Sequence, residues 1–344
     1  MKAAVLFKLN SPLEIIDLLI QEPEEGQILV KMSYSGICHT QLLEIAGKNA
    51  SGPMNPNLLG HEGSGIVEKV GKNVSKVKKG DKVILSWIKG SGANILPKTY
   101  LHDDKKINVG FVTTFNEYCV ASENRVTKMP DGMPMKEGAL IGCAVATGLG
   151  AVINNAKAVP DKTVLIIGVG GIGISMVNGA KLSGSKHIIA VDISDEKLEF
   201  SKKFGATHTI NSKNYDVESE IKKIAPNGVD YAFDTVGRKE TMELAYNIVN
   251  KFSGKAVLCG VPNPLGLKIE IDPFPLYYGR QLAGTGGGES KPDTDFEKYC
   301  MLFMDKKIKL SEMITHTFSL KDINKGIELM KDGKCCRVLI DFEK

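Results

Sequence analysis

TVLIIGVGGIGISMV, residues 163–177, decides how the chain reads. Its first five residues suit a strand buried on both faces, and the residues from Gly171 onward place apolar side chains at helical spacing. Between them Gly168, Gly170 and Gly173 stand in G-x-G-x-x-G spacing, with Gly171 and Ile172 opening the helix. In this pattern the first glycine permits a tight turn, the second lets the backbone approach a pyrophosphate, and the third lets the helix pack on the strand. The helix N-terminus favours the anion. The next strand, HIIAVD (187–192), ends in Asp192, nineteen positions after Gly173. A carboxylate there accepts hydrogen bonds from ribose hydroxyls and repels a 2′-phosphate, so the pattern predicts NAD rather than NADP. The bland alternative is a glycine turn closing a helix on a sheet, with Asp192 capping the helix that begins near Asp195.

Outward from this motif, THTI, VDYAFD and KAVLCG alternate with predicted helices at 172–183, 195–204, 216–225 and 238–251. Repeated βα units imply a parallel, doubly wound sheet in an α/β fold. Before it, ILVKMSYSGIC (28–38), GIVEKV (65–70), DKVILSW (81–87) and FNEYCV (115–120) read as short strands with glycine punctuation. They predict an antiparallel, barrel-like domain. After Arg280, QLAGTGGG leads to helices at about 293–305 and 321–331 and a last strand, CRVLIDF. The expected division is 1–150 with 286–344 for one domain and 151–285 for the cofactor domain.

The 344 residues are 42% hydrophobic and 24% charged with 36 glycines, which excludes a disordered or fibrous chain and allows two sizeable cores. Basic residues number 44 and acidic residues 40, a net charge of +4 with the signs interspersed, so no nucleic-acid or membrane partner is expected. The seven cysteines, odd in number and irregularly spaced, fit a reducing cytoplasm better than a disulfide framework. MKAAVLFKLNSPLEII lacks the apolar core of a signal peptide, and no run approaches about 18 uninterrupted apolar residues. A cytoplasmic protein is expected.

Cys38, His61 and Cys143 lie far apart in sequence, yet each sits beside glycine at an element boundary: SGICHT, LLGHEGSG and LIGCAVATG. Two thiolates and an imidazole suit Zn²⁺, and three ligands leave a fourth position open for substrate. Singly, each cysteine is more often a small core residue, and spacing does not join them.

GHEGSGIVEKVGKNV (60–74) resembles the zinc signature of the medium-chain alcohol dehydrogenases. GICHT, IGCAVATG, GVGGIG, VDISDEK, FDTVGR and CGVP are similar to that family's other landmarks in the same order, across essentially the whole chain. The resemblance implies a GroES-like antiparallel barrel as catalytic domain and a Rossmann cofactor domain. It implies one catalytic zinc on Cys38, His61 and Cys143, with Glu62 as a carboxylate that approaches the metal during ligand exchange. Thr40 would bond the alcohol and begin proton removal. His39 and Arg337 would face the pyrophosphate, Asp192 and Lys197 the adenosine ribose, and Thr147, Ile172 and Val261 would also contact cofactor. Trp87 would wall the substrate pocket, where a sole tryptophan is otherwise a core residue. Glu62 has a plainer reading as a surface salt-bridge partner. The implied reaction passes a hydride between an alcohol, or its aldehyde or ketone, and NAD, in a homodimer or homotetramer.

The chain departs from the family in three places. No cysteine lies between His39 and Tyr118, so the lobe that binds a structural zinc in many members is expected to be shortened and held by packing. Leu43 stands where some relatives carry a proton-delivering histidine, and Gln41 where many have an aspartate orienting the histidine ligand. A neutral amide alters metal affinity or the acidity of the alcohol. His187, His208 and His316 have no matching partner, and Cys335–Cys336 lacks CxxC spacing, so these read as structural. Competing readings are a polyol or sugar-derivative dehydrogenase, a zinc-free quinone or enoyl reductase on the same scaffold, and a binding protein without turnover.

Overall fold

The apolar runs of the N-terminal half become strands β1 (Lys2–Leu6), β2 (Glu14–Asp17), β3 (Gln27–Ile37), β4 (Asn57–Leu58), β5 (Glu62–Val70), β6 (Lys82–Ser86), β7 (Tyr100–His102), β8 (Lys105–Ile107), β9 (Tyr118–Ser122) and β10 (Val126–Lys128). Helix α1 (His39–Ile45) follows β3, and α2 (Met135–Leu140) follows β10. The structure, a computed structural model, describes residues 1–48 and 55–344. Helix α3 (Ala146–Gly150) precedes a regular alternation: β11 (Thr163–Ile167), α4 (Gly171–Leu182), β12 (His187–Asp192), α5 (Asp195–Lys202), β13 (His208–Asn211), α6 (Val217–Ile224), β14 (Tyr231–Asp234), α7 (Lys239–Ile248), β15 (Lys255–Leu258) and β16 (Gln281–Gly284). The chain finishes with α8 (Pro292–Met304), β17 (Ile314–Ser319), α9 (Ile323–Lys331) and β18 (Arg337–Asp341).

Two compact units result. The first holds Met1–Ala144, Lys291–Lys306 and Leu310–Lys344; the second holds Val145–Ser290 and Lys307–Lys309. The divisions at 144/145 and 290/291 lie a few residues from the expected 150/151 and 285/286, for local reasons. Ser290 Oγ donates to Ala146 O at 2.9 Å within the second unit. Asp293 in α8 pairs with Lys76 at 2.6 Å and accepts the Ser91 N–H at 2.7 Å within the first.

The first unit is built on the sheet β10-β6-β5-β3-β18-β17, with β9 also pairing β3. Every pairing in it is antiparallel except β17 with β18. Alternate residues Ile28, Val30 and Met32 of β3 pack with Val67, Val83, Leu85, Cys119 and Val126 in one core, the period-2 spacing of one face of a strand, and most of the other face is buried as well. The C-terminal β18 pairs β3 in the register Val338↔Ile37 and so delivers residue 337 beside residue 38.

The second unit is a parallel sheet in the order β13-β12-β11-β14-β15-β16, a doubly wound arrangement with its order reversing beside β11. Ligands in such sheets bind outside the carboxyl ends of the strands at that reversal. The core around Leu165, Ile189, Ala232 and Ala256 explains why these strands are apolar on both faces rather than alternating. The helical stretch Met135–Asn155 is long and apolar enough to cross a membrane by composition, but 83% of its apolar window is buried in the fold. Interspersed Gly and Thr keep that run from being uninterrupted in the sequence, while the absence of charge after Glu137 makes it apolar overall.

The segment after β6 is held partly by packing, as expected, with Ile88, Tyr100, Ile107, Val109, Val112 and Phe115 buried. Ile95 and Leu96 are 43% and 53% exposed, and there polar contacts tie the chain down. Glu123 Oε1 accepts the Ser75 and Lys76 N–H groups at 2.7 and 3.2 Å, and Oε2 accepts that of Ala93 at 3.0 Å. Ser122 Oγ donates to Ala93 O at 2.6 Å and accepts the Ile95 N–H at 2.9 Å. Burial pushes the Glu123 carboxyl up, but the backbone N–H groups of Ser75, Ala93 and Lys76 outweigh it and hold the carboxyl below its ordinary value. Glu123→Ala is expected to destabilise the first unit by about 2–3 kcal/mol in urea unfolding, since it strands several donors of a charge-assisted cluster. Because the carboxyl is lowered on folding, the deficit is fully present above the ordinary Glu value of about 4.3 and closes as pH falls through the lowered one.

Candidate functional site

The end of β3, the turn before β5 and the segment after α2 meet in the first unit. Cys38 directly follows β3 and caps α1, with an extended backbone. His61 directly precedes β5 and follows Gly60, whose φ of +87° and whose missing Cβ, which would lie 2.5 Å from Thr114 Oγ1, both require glycine. Cys143 lies in a π-helical turn, Ile141–Val145, a form frequent at functional sites. Gly142 beside it lets that turn approach β6, because a Cβ there would lie 2.2 Å from Leu85 O.

One ligand atom each of Cys38, His61 and Cys143 lie within 4.8 Å of one another. His61 Nε2 is 3.2 Å from Cys143 Sγ, and the two Sγ atoms are 4.0 Å apart. Both cysteines are buried. A hydrogen bond from the Cys143 thiol lowers the Cys38 thiol well below its ordinary value, helped by His61, and the same contact raises Cys143. Two sulfurs and one imidazole converging this closely are a soft N/S donor set that fits zinc and leaves a fourth position open. Among the described residues no second group of His, Cys, Asp and Glu comes together in this way.

Around the cluster, Thr40 Oγ1 lies 3.7 Å from Cys38 Sγ. Gln41 is fully buried, with Nε2 2.7 Å from His61 Nδ1 and 3.1 Å from Glu44 Oε2. Burial holds the Glu44 carboxyl above its ordinary range, against the pull of His61 and Gln41. Glu62, wholly buried, is no surface partner: its Oε1 pairs with Arg337 Nη2, and Arg337 is 3% exposed. Gly36 makes room for this pair, since a Cβ there would meet Glu62 Oε1 at 2.6 Å and Arg337 Nη2 at 2.8 Å. Glu62 Oε2 and Arg337 Nε have no partner. His39 is exposed, and Trp87, at 40% exposure, is not a core residue.

In the second unit the three glycines have three distinct reasons. Gly168 has φ +87°, and a Cβ would lie 2.5 Å from Thr235 Oγ1. At Gly173 a Cβ would sit 2.0 Å from Gly168 O, so α4 could not close onto the turn. At Gly170 nothing lies within 4 Å, which is open space above the start of a 12-residue helix and fits a pyrophosphate. Gly171 and Ile172 are the first two residues of that helix. Asp192, at the carboxyl end of β12, accepts the Val169 N–H at 2.9 Å and the Ile193 and Ser194 N–H groups at 2.7 and 3.1 Å. The cap of α5 is Ser194, which accepts the Lys197 N–H, so Asp192 is not that cap. Thr147 Oγ1 is buried without a partner, as a cofactor-facing hydroxyl would be. Val261, 47% exposed, borders a cavity of about 440 Å³ with Leu258, Gly260, Pro262 and Thr285.

A doubly wound sheet carrying a dinucleotide turn and a barrel-like unit carrying a Cys₂His cluster together define a zinc-dependent dehydrogenase. Residues 24–131 match the alcohol dehydrogenase GroES-like domain and residues 171–304 the zinc-binding dehydrogenase domain. The chain is 34% identical to S-(hydroxymethyl)glutathione dehydrogenase of Paracoccus denitrificans, with 98% of this chain and 99% of that protein covered. It is 33% identical to alcohol dehydrogenase class-3 of Oryza sativa subsp. japonica, covering 100% and 97%. Among solved structures it is similar to benzyl alcohol dehydrogenase of Acinetobacter calcoaceticus, at 28% identity, a TM-score of 0.90 and coverage of 99% and 98%. The chain belongs to the zinc-dependent alcohol dehydrogenase family of the medium-chain dehydrogenases. It is an oxidoreductase acting on CH–OH donors with zinc and NAD.

Sequence reasoning missed Glu44. Its signal was available: Glu44 is three residues after Gln41 on a helix and therefore on the same face.

Proposed function

We propose that the chain interconverts small primary alcohols and their aldehydes, with Cys38, His61 and Cys143 holding the zinc. The convergence of these three buried ligand atoms within 4.8 Å carries the reading. When bound, zinc supplies Lewis acidity toward the alcohol oxygen and NAD takes up the hydride. Thr40, next to the cluster, accepts the substrate hydroxyl's proton contact and orients it. Leu43 offers no onward proton acceptor, so release would use the ribose of a bound cofactor and water, or another group. Asp192 and Lys197 hold the adenosine ribose, the turn at Gly168–Gly173 the pyrophosphate, and Thr147 and Val261 the nicotinamide end. His39 and Arg337 would serve the cofactor's pyrophosphate, Glu62 the metal, and Trp87, exposed after β6, the alcohol.

Assembly and location belong to the same reading. Strand β16 has a neighbour on one side only, and Phe252, Phe274, Tyr277 and Tyr278 are exposed in the same unit, with Phe274 and Tyr278 rings 5.0 Å apart. An edge strand and exposed aromatics favour pairing with a second copy, giving a homodimer or homotetramer. No disulfide joins the cysteines, which suits the cytoplasm.

The test is turnover with NAD on benzyl alcohol, S-(hydroxymethyl)glutathione and sorbitol. Primary alcohols are expected to lead; a clear preference for sorbitol replaces this reading with the polyol one. Thr40→Ala is expected to lower kcat/KM about 10²–10⁴-fold on the best of them, with Thr40→Ser close to the parent.

A further inference from the structure

Strand β14 ends in Asp234, whose side chain is wholly buried at the carboxyl edge of the parallel sheet. Among the described residues no lysine or arginine pairs with it. Its oxygens instead accept the Val236 N–H at 3.2 Å and the Gly237 N–H at 3.0 Å. Burial pushes the carboxyl up, against the Thr241 hydroxyl and these two N–H groups. A carboxylate buried without a cation is costly. What this one holds is the backbone of residues 235–237.

That turn touches both segments assigned to the cofactor. On one flank Thr235 Oγ1 donates to Gly168 O at 2.8 Å and to Ile167 O at 3.0 Å, and the Thr235 N–H reaches Ile167 O at 3.0 Å. Gly168 fits there because it lacks a Cβ, which would also lie 2.8 Å from Val236 Cγ2. On the other flank Asp234 O accepts the Cys259 and Gly260 N–H groups at 2.8 and 3.0 Å, and Gly237 O accepts that of Asn263 at 3.0 Å. Glycines let these backbones close together: a Cβ on Gly237 would lie 2.1 Å from Val261 O, and one on Gly260 2.3 Å from Gly237 N. Residues 234–237 are therefore a wedge between the pyrophosphate turn and the segment 259–263.

A dinucleotide is a bivalent ligand for such an arrangement. Its affinity exceeds that of either part only while the two flanks keep the spacing that lets both parts engage at once. We infer that Asp234, by fixing the turn between them, sets the spacing of the pyrophosphate and nicotinamide segments and is a positioning residue for NAD. The inference rests on the placement of the pyrophosphate at Gly168–Gly173 and of the nicotinamide end at Val261. In Asp234→Asn the amide oxygen accepts one of the two N–H groups, and the amide nitrogen, a donor only, is set against the other. Each flank keeps its own residues, so the change is felt by a ligand that spans both.

The experiment is calorimetric titration of the zinc-loaded full chain with NAD and with ADP, which carries only the adenosine and pyrophosphate parts. D234N is expected to weaken NAD about tenfold and ADP less than about twofold, because the link between two contacts is lost and neither contact itself. A carboxylate that only stabilised the fold would lower the unfolding midpoint and leave the ratio of the two affinities as in the parent. The inference is overturned if D234N keeps the parent's ratio, whether both ligands weaken alike or neither does. Should D234N not fold, the other end of the same turn decides. Thr235→Val, which removes the hydroxyl from Gly168 O, is then expected to move the ratio in the same direction and Thr235→Ser to leave it, and an unmoved ratio in T235V overturns the inference. Failure of the cofactor placement is separately visible, because Asp192→Ala would then bind ADP as tightly as the parent.

Discussion

Cys38→Ser is expected to purify without its zinc and to lose at least about 10³ in kcat/KM, about 4 kcal/mol of barrier stabilisation. The parent is expected to hold about one zinc per chain by elemental analysis, as one open three-residue site with no second such group among the described residues requires. The size of the effect follows from the neighbourhood. Cys38, His61 and Cys143 have ligand atoms within 4.8 Å of one another, so removing one sulfur leaves two donors at a site built for three. Serine adds no charge at neutral pH and is a hard, weakly acidic ligand in place of a soft thiolate. A zinc-free chain with full activity would overturn the metal assignment and favour the zinc-free reductase reading. A variant that keeps its zinc but loses turnover would locate the cysteine's role in substrate geometry instead.

Much of this arrangement was legible in the sequence, and unevenly so. The second unit writes its fold in local patterns: strands buried on both faces are apolar throughout, and each glycine of the 168–173 turn answers a local steric demand. The metal cluster is different in kind. Nothing in the spacing of Cys38, His61 and Cys143 brings them together; the antiparallel pairing of β3 with β5, and of β5 with β6 against the turn of Gly142, does. That proximity is tertiary, and only family resemblance made it visible beforehand. The polar tether at Glu123 was invisible for the same reason, since its partners Ser75, Lys76 and Ala93 are up to 48 residues away and contribute backbone N–H groups, which carry no sequence signature. The pair of Glu62 and Arg337 spans 275 residues and exists because β18 returns beside β3.

That pair yields the second large effect. Arg337→Met is expected to destabilise the first unit by about 3–5 kcal/mol in urea unfolding, because it leaves the wholly buried Glu62 carboxylate without a counter-charge. Replacing both partners removes the stranded charge, so Arg337→Met with Glu62→Leu is expected to recover most of that loss. The double variant also separates the two roles of the arginine. Stability depends on the pair and returns when both charges go; attraction for a pyrophosphate depends on the guanidinium alone and does not. NAD affinity, followed by fluorescence titration, is therefore expected to remain weakened in the double variant although its unfolding midpoint recovers. If NAD binds the double variant as tightly as the parent, Arg337 serves only to hold Glu62 behind the metal. If stability fails to recover, packing of the long side chain beside Gly36, rather than charge balance, is what the first unit loses, since a Cβ at that glycine would already lie 2.8 Å from Arg337 Nη2.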